Sequence, residues 1–148
     1  MKADGLTRFA LEDFLPYQLA VLANRTSDQF SRRYQAKFDI SVAEWRVVAH
    51  LSQAEKVSIR EIYKQVEMDK SRASRAAARL VAAGYVSKNV NPGDRRLVEL
   101  SLTKKGWAMV AEIAPVGTEF QAEMLEWVSP GDRQIFVRLL KTMMERCK

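Results

Sequence analysis

The segment DKSRASRAAARLVAAG, Asp69 to Gly84, decides how this sequence folds. It is rich in alanine, the strongest helix former, and it carries four basic residues but no acidic residue after Asp69. A surface helix usually mixes both signs of charge, because Glu/Lys pairs four residues apart stabilise it. We therefore expect a helix that Asp69 caps, that ends at Gly84, and that presents a basic surface without neutralising acids.

A second, shorter helix precedes this one. SIRE (58–61) has the spacing of a capping box, in which Ser caps the helix and Glu reaches back, and it predicts a helix to about Gln65. Only VEMD (66–69) separates the two helices, so together they form a helix-turn-helix. Another capping box, SVAE (41–44), predicts a supporting helix through Leu51. We expect Trp45, Val48 and Leu51 to face inward from that helix.

The hydrophobic period changes after Gly84. YVSKNV (85–90) has strand composition and LVELSL (97–102) alternates between apolar and polar residues. Between them, NPGDRR (91–96) is rich in turn formers. These features predict a β-hairpin with a basic tip, which makes the fold mainly α-helical with a small β-hairpin wing.

Helices are also predicted at both ends of the chain. Pro16 suits the first turn of a helix to about Lys37, Thr103 can cap a long helix that contains Pro115, and a last helix starts at Ser129. Both ends carry apolar faces that one winged helix can hardly bury, so we expect dimerisation there. The predicted parts are an N-terminal dimerisation region (1–37), a winged helix-turn-helix domain (38–102) and C-terminal dimerisation helices (103–148). The residues that define the two apolar faces are Leu19, Leu22, Ala23, Phe30 and Tyr34 near the start, and Ile135, Phe136, Leu139, Leu140 and Met143 near the end.

The positive charge is concentrated in the helix-turn-helix and hairpin. Residues 56–105 hold twelve Lys or Arg against five Asp or Glu, a net charge of +7, whereas the whole chain carries +6. A basic surface that coincides with a groove-sized helix is typical of a nucleic-acid interface. A nonspecific architectural DNA-binding protein is the alternative function, but it is disfavoured because its charge is expected to be spread more widely.

The remaining composition argues against other classes of protein. The chain has one cysteine, Cys147, and one histidine, His50, which favours neither a disulfide framework nor a metal site. No nucleophile–base set or glycine-rich phosphate loop is present, so we expect no enzymatic activity and no cofactor. The N-terminus lacks the features of a signal peptide and no apolar run is long enough to cross a membrane. We therefore expect a cytoplasmic protein without a membrane partner.

The sequence resembles the MarR family of winged helix-turn-helix transcription regulators from about Pro16 to Lys148. DKSRASRAAARLVAAGYV (69–86) is similar to the family's recognition helix, with the pattern D-K-S-x-x-S-R-x-x-x-R-L-x-x-x-G. NPGDRRLVELSLTKKG (91–106) is similar to its wing and the following helix, with D-x-R and then L-x-L-T-x-x-G. SVAEWRVVAHL (41–51) resembles the helix that supports the motif.

This resemblance implies a homodimer that binds a pseudo-palindromic double-stranded DNA operator. Recognition helices then lie in successive major grooves and wings in the flanking minor grooves. Many members repress transcription and release DNA when a small phenolic or lipophilic effector binds, or when an oxidant acts on a cysteine near the first helix. Because Cys147 lies at the other end of the chain, oxidant sensing by that route is disfavoured.

Candidate DNA contacts follow from helical spacing and from the resemblance. Arg72 and Arg75 are expected to contact bases or phosphates from the major groove, since arginine pairs well with guanine there. Arg96 is expected to enter the minor groove, where narrow A/T-rich sequences attract arginine. Ser71 and Ser74 are expected to make similar contacts with bases or phosphates. The further expected contacts, with phosphates, are Ser58, Lys70 and Arg95.

Several of these residues have structural alternatives. Arg79 can reach DNA or form an ion pair with Asp94 of the wing, and Arg96 can form a salt bridge with Asp69 or Asp94 that only shapes the wing. Asp69, Arg79 and Asp94 are therefore predicted to support the wing. Tyr34, Trp45 and His50 are candidates for an effector pocket, although a role in the core is favoured. The operator, the regulated genes, the effector and the choice between repression and activation stay open.

Overall fold

The computed structural model of the protein describes residues 8–148, so the sequence predictions for residues 1–7 lie outside the described residues. The chain forms two compact units, of which the first ends at Val42 and the second spans Ala43–Lys148. The division into dimerisation and DNA-binding parts at residues 37 and 102 is functional and stays a prediction. No helix within residues 8–148 is both long enough and apolar enough to cross a membrane.

The first unit is dominated by one helix. A short 3-10 helix at Leu11–Asp13 leads into α1, Leu15–Phe38, whose first turn contains Pro16 as predicted. Proline suits this position because the first amides of a helix have no intrahelical acceptor. The helix ends at Asp39, which adopts a left-handed conformation with φ of 49°.

The helix-turn-helix lies where the sequence predicts it. Helix α2 spans Val42–Leu51, strand β1 spans Val57–Ser58, α3 spans Ile59–Gln65 and α4 spans Lys70–Ala82. The inward face of α2 was only partly predicted correctly. Val48 and Leu51 are fully buried, but Trp45 is half-buried, and Val47 is buried instead. At 100° per residue, Val47, Val48 and Leu51 lie within about 100° of arc, and Trp45 lies about 60° outside it.

A three-stranded antiparallel sheet carries the wing. Strands β2, Val86–Val90, and β3, Val98–Leu102, form the predicted hairpin. The strand order is β1-β3-β2, and Val57 of β1 pairs with Leu100 of β3. The sequence did not predict β1, because two residues are too short to show strand periodicity. Its pairing joins the start of α3 to the base of the wing.

The C-terminal part consists of two helices. Helix α5, Lys104–Leu125, continues through Pro115, and α6 spans Pro130–Arg146. Ser129 is the N-cap residue of α6, but its Oγ donates to the Asp132 carboxylate at 2.7 Å and not to the backbone. Five large apolar side chains on one face of α6 are each 41–51% exposed in the isolated chain: Ile135, Phe136, Leu139, Leu140 and Met143.

Candidate nucleic-acid interface

The recognition helix α4 is held by a cap at each end. The Asp69 carboxylate accepts a hydrogen bond from the Arg72 amide at 2.7 Å, as the sequence predicts. At the other end, Gly84 has φ of +84°, the Gly84 amide donates to the Val81 carbonyl and the Tyr85 amide donates to the Leu80 carbonyl. These two bonds form a Schellman motif. Glycine is favoured at its left-handed position because it has no Cβ.

The two faces of α4 differ in chemistry. Ala73, Ala76, Ala77 and Leu80 are buried, so the helix packs closely on the domain core. The polar residues Lys70, Ser71, Arg72, Ser74, Arg75 and Arg79 are all exposed. Among residues 8–148, no ion pair reaches any of the four basic side chains in this set. Small buried residues and a projecting basic face give α4 the form of a helix that can enter a major groove.

Helix α3 lies beside the basic face of α4. Lys70 Nζ lies 5.6 Å from the centre of the Tyr63 ring, a cation–π contact that places the ammonium beside α3. Ser58 caps α3, where its Oγ accepts from the Glu61 amide at 3.2 Å. The Ser58 side chain is therefore part of a helix start, where backbone amides favour an anion such as a phosphate.

The tip of the wing is shaped by two Asx turns. Asn91 Oδ1 accepts from the amides of Gly93, at 2.8 Å, and Asp94, at 3.3 Å. Asp94 Oδ1 then accepts from the Arg96 amide at 3.0 Å and from Arg96 Nε at 3.1 Å. Arg95 and Arg96 are both exposed at this tip, and the Arg96 side chain is 83% exposed.

The charge of Asp94 is stabilised by its surroundings. Hydrogen bonds from the side chain and then from the amide of Arg96 lower the pKa of Asp94 below its ordinary value, and the nearby charge of Arg60 lowers it further. The carboxylate is therefore ionised at neutral pH, and the Asp94–Arg96 pair is complete there.

The structure decides between two of the ion pairs that the sequence allowed. Asp94 pairs with Arg96, and within residues 8–148 no ion pair joins Asp94 to Arg79 or Arg96 to Asp69. The pairing of Arg79 with Asp94 was therefore wrong. The local pair forms because Asp94 and Arg96 are two residues apart in one turn, so little chain entropy is lost. The carboxylate of Asp69 is used in capping α4.

The residues considered for an effector pocket are less exposed than the basic face. Tyr34 of α1 is buried and contacts the Phe30 ring edge-on, with 5.1 Å between ring centres. Trp45 and His50 are half-buried on α2. Five residues of helix separate them, which is about 140° around the axis at 100° per residue. The pocket therefore stays a prediction.

Sequence reasoning missed two groups of residues. Arg60 is exposed on α3, and its charge acts on Asp94 of the wing. Thr103 and Lys105 at the start of α5 both donate to carbonyls at the end of the recognition helix. The T-x-x-G pattern marks the position of this second group, but spacing alone does not show which backbone it contacts.

Comparison with known proteins identifies similar transcription regulators. A sequence model of the MarR family matches residues 38–97, which hold the helix-turn-helix, strand β2 and the tip of the wing. The multiple antibiotic resistance protein MarR of Escherichia coli strain K12 is 26% identical to this chain over 128 residues, which are 86% of this chain and 89% of that protein.

Solved structures share the fold over nearly the whole chain. A mutant of Escherichia coli MarR complexed with operator DNA has a TM-score of 0.77 and 25% identity, covering 93% of this chain and 99% of that chain. Bordetella bronchiseptica BpsR, whose DNA binding is regulated by 6-hydroxynicotinic acid, has a TM-score of 0.79 and 22% identity, covering 93% and 98%. Together with the winged helix-turn-helix, these matches support the assignment of the chain to the MarR-family transcription regulators.

Proposed function

We propose that this chain binds a pseudo-palindromic DNA operator as a homodimer and represses transcription, and that a small phenolic or lipophilic effector releases it. The observation that carries the proposal is the exposed basic face of α4, which has no ion-pair partner within residues 8–148. A helix of this diameter fits the major groove, and its unpaired cations suit the phosphates that line the groove. A regulator of this kind acts in the cytoplasm, where the chromosome lies.

We assign the proposed DNA contacts by the positions of the residues on α4 and on the wing. Arg72 and Arg75 on the first two turns of α4 read bases, and Arg96 at the wing tip enters the minor groove. The other proposed contacts bind mainly phosphates: Ser58, Lys70, Ser71, Ser74 and Arg95. The operator-bound MarR structure supports this arrangement, since its fold matches nearly the whole of this chain.

A homodimer accounts for the apolar face of α6. A soluble monomer rarely leaves a contiguous apolar patch of this kind in water, and two-fold symmetry matches a pseudo-palindromic operator. Light scattering is expected to return twice the 16.9 kDa chain mass at micromolar concentration. Leu139→Asp should yield monomer, because it places a charge in the apolar face, whereas Gln134→Asp on the other side of α6 should stay dimeric. A monomeric parent would contradict the dimer.

DNA binding is tested by fluorescence anisotropy with duplexes that tile the promoter upstream of the chain's own gene. If the dimer neutralises about eight phosphates, the slope of log K against log salt is about −7. Binding to one duplex should exceed binding to random sequence of equal length by at least about a thousandfold. Equal affinity for promoter and random DNA favours the nonspecific architectural alternative, and a flat salt dependence contradicts the proposed phosphate contacts.

Effector control rests on family resemblance and on BpsR, which responds to 6-hydroxynicotinic acid. We propose that His50 of α2 contributes to the effector pocket. The test adds 6-hydroxynicotinic acid and a panel of phenols to the preformed protein–DNA complex. Release of DNA by a compound, with loss of that response in His50→Ala but not in Arg146→Ala, supports the assignment. Release that is unchanged in His50→Ala places the pocket elsewhere.

A further inference from the structure

Three successive carbonyls in the connection that follows the recognition helix accept hydrogen bonds from the start of α5. Lys105 Nζ donates to the Ala83 carbonyl at 2.8 Å, the Thr103 hydroxyl donates to the Gly84 carbonyl at 2.6 Å, and the Thr103 amide donates to the Tyr85 carbonyl at 3.1 Å. We call this set of bonds the α4–α5 latch.

The geometry of both helix ends explains why the latch forms. The Ala83 carbonyl, at the C-cap of α4, has no intrahelical donor, and the Gly84 and Tyr85 carbonyls lie in the connection between α4 and β2. Thr103 Oγ1 also accepts from the Gly106 amide at 3.1 Å, so one hydroxyl caps α5 and binds the end of α4. The Lys105 ammonium lies 4.5 Å from the centre of the Tyr85 ring, a cation–π contact that holds it over the carbonyls.

A close backbone contact tightens the same junction. A Cβ placed on Gly106 would lie only 2.2 Å from the Tyr85 carbonyl oxygen. This separation is far below van der Waals contact, so only glycine lets α5 approach the strand this closely. The junction therefore has little freedom to pivot, because the bonds of the latch and the glycine contact act within a few residues of each other.

The latch connects the recognition helix to the C-terminal helices. Helix α5 runs without interruption to Leu125, whose carbonyl accepts from Arg133 Nε of α6 at 2.7 Å. Helix α6 in turn carries the exposed apolar face proposed for dimerisation. The position of each recognition helix relative to that face is thus set through α5, and the latch is the polar contact at the start of α5.

We propose that Lys105 and the Thr103 hydroxyl are positioning residues that set the spacing of operator half-sites the dimer accepts. This inference rests on the proposed function. Two recognition helices fit successive major grooves only if their separation matches one helical turn, about 34–36 Å. One inserted base pair moves a half-site by about 3.4 Å and turns it by about 35°. A rigid junction rejects such a shift, whereas a junction without its latch adapts to it.

The experiment compares Lys105→Met with Lys104→Met in the full-length dimer. Both changes remove one positive charge from the first turn of α5, but only Lys105 donates to the Ala83 carbonyl. The probe is the duplex that the parent protein selects from a random-sequence pool, together with versions that carry one or two extra base pairs between the half-sites. The measured quantity is the ratio of the dissociation constant for the expanded duplex to that for the selected duplex.

The parent and Lys104→Met are expected to lose about tenfold or more in affinity per inserted base pair. Lys105→Met should lose less than about threefold in affinity per inserted base pair. Lys105→Arg should keep the parent ratio, because its guanidinium can donate to the same carbonyl. Thr103→Asp is a second test, since its carboxylate still caps α5 but cannot donate to the Gly84 carbonyl. It is expected to relax the spacing as Lys105→Met does.

The outcomes separate this inference from the proposed function. A parent protein that shows no spacing preference contradicts two-fold operator binding itself. A parent that shows the preference, with Lys105→Met and Thr103→Asp both keeping its ratio, contradicts the latch alone. An equal effect of Lys104→Met also contradicts it, because the loss then follows from charge. If Thr103→Asp does not fold, the Met and Arg variants of Lys105 decide the question.

Discussion

The Asp94 carboxylate accepts hydrogen bonds from both the backbone amide and the side chain of Arg96. Asp94 therefore sets both the conformation of the wing tip and the direction of the Arg96 side chain. Oδ1 accepts from the amide at 3.0 Å and from Nε at 3.1 Å. Because the Arg96 side chain is 83% exposed, the contribution of the pair to the free energy of unfolding is small. We interpret it as a device that orients Arg96 before DNA binds.

This pairing predicts how Asp94 titrates. Its pKa is lowered in the folded protein by Arg96 and then by Arg60, so its titration midpoint should lie below the ordinary value of about 3.9. A lowered pKa means that the pair is complete above the unfolded value and is lost as the pH falls through the folded value. NMR titration of the Asp94 carboxyl carbon measures this midpoint. Arg96→Ala should raise it, and Arg60→Ala should raise it less; an unchanged midpoint in Arg96→Ala contradicts the pairing.

Gly106 provides a test of the contact between α5 and Tyr85. Gly106→Ala adds a Cβ that overlaps the Tyr85 carbonyl. This overpacking costs about 1–3 kcal/mol, which is more than the gain of up to about 1 kcal/mol that alanine brings in helix propensity. The free energy of unfolding, measured by urea denaturation, should therefore fall. Gly131→Ala is the matched control, since a Cβ there meets no atom within 4 Å, and it should stabilise the protein by about 0.4–1 kcal/mol. Equal effects at both glycines would refute the close approach.

The sequence predicted the elements well because their signals are local. Asp69 and Ser58 cap the helices that follow them, and the alternation after Leu97 predicts a strand whose inward residues, Leu100 and Leu102, are buried. Capping and alternation depend on residues a few positions apart, so they can be recognised in the sequence without knowledge of the tertiary structure.

Contacts between distant residues could not be predicted in the same way. The pair of Val57 with Leu100 and the bond from Lys105 to Ala83 join residues that share no periodic pattern. The Asp94–Arg96 pair was one of several alternatives, because a sequence gives the charges of the wing but not the directions of its side chains. The proposed DNA contacts on α4 are exposed, as the sequence predicted, and their roles stay predictions.

The turn of the helix-turn-helix contains a strained residue. Glu67 has φ of 51°, a left-handed conformation that costs a residue with a Cβ about 1–2 kcal/mol. Glu67→Gly relieves this cost but also increases the entropy of the unfolded chain, which offsets part of the gain. We therefore expect the free energy of unfolding to rise by about 0.5–1 kcal/mol. Glu55→Gly, where φ is not positive, should lower it slightly. If both variants are destabilised equally in urea denaturation, Glu67 is not strained.

Arg72 is expected to read bases in the major groove. It lies on the first turn of α4, and its side chain is exposed and forms no ion pair within residues 8–148. Because each base pair shows a distinct pattern of donors and acceptors in the major groove, Arg72→Ala should cost about 1–3 kcal/mol of binding and relax the preference at one base pair per half-site. Selection of operators from a random pool by the variant measures this. If selectivity is untouched, Arg72 is a phosphate contact.

Arg96 is expected to act in the minor groove, where A·T and T·A pairs look alike, so it responds to groove width more than to sequence. Arg96→Ala should weaken binding to all related operators and reduce the dependence on A/T content at the flanks. Arg95→Ala is the matched control at the same tip: as a phosphate contact, it should weaken binding without changing the response to flanking sequence.

Stability separates the two roles that the structure leaves for Arg96. Its side chain is 83% exposed and its ion pair with Asp94 is local, so Arg96→Ala should stay folded and melt close to the parent. Asp94→Asn keeps the arginine but removes the charge that orients it, and should weaken the flank dependence less than Arg96→Ala does. If Arg96→Ala melts well below the parent while its flank dependence is unchanged, the residue serves to shape the wing, and the minor-groove assignment is wrong.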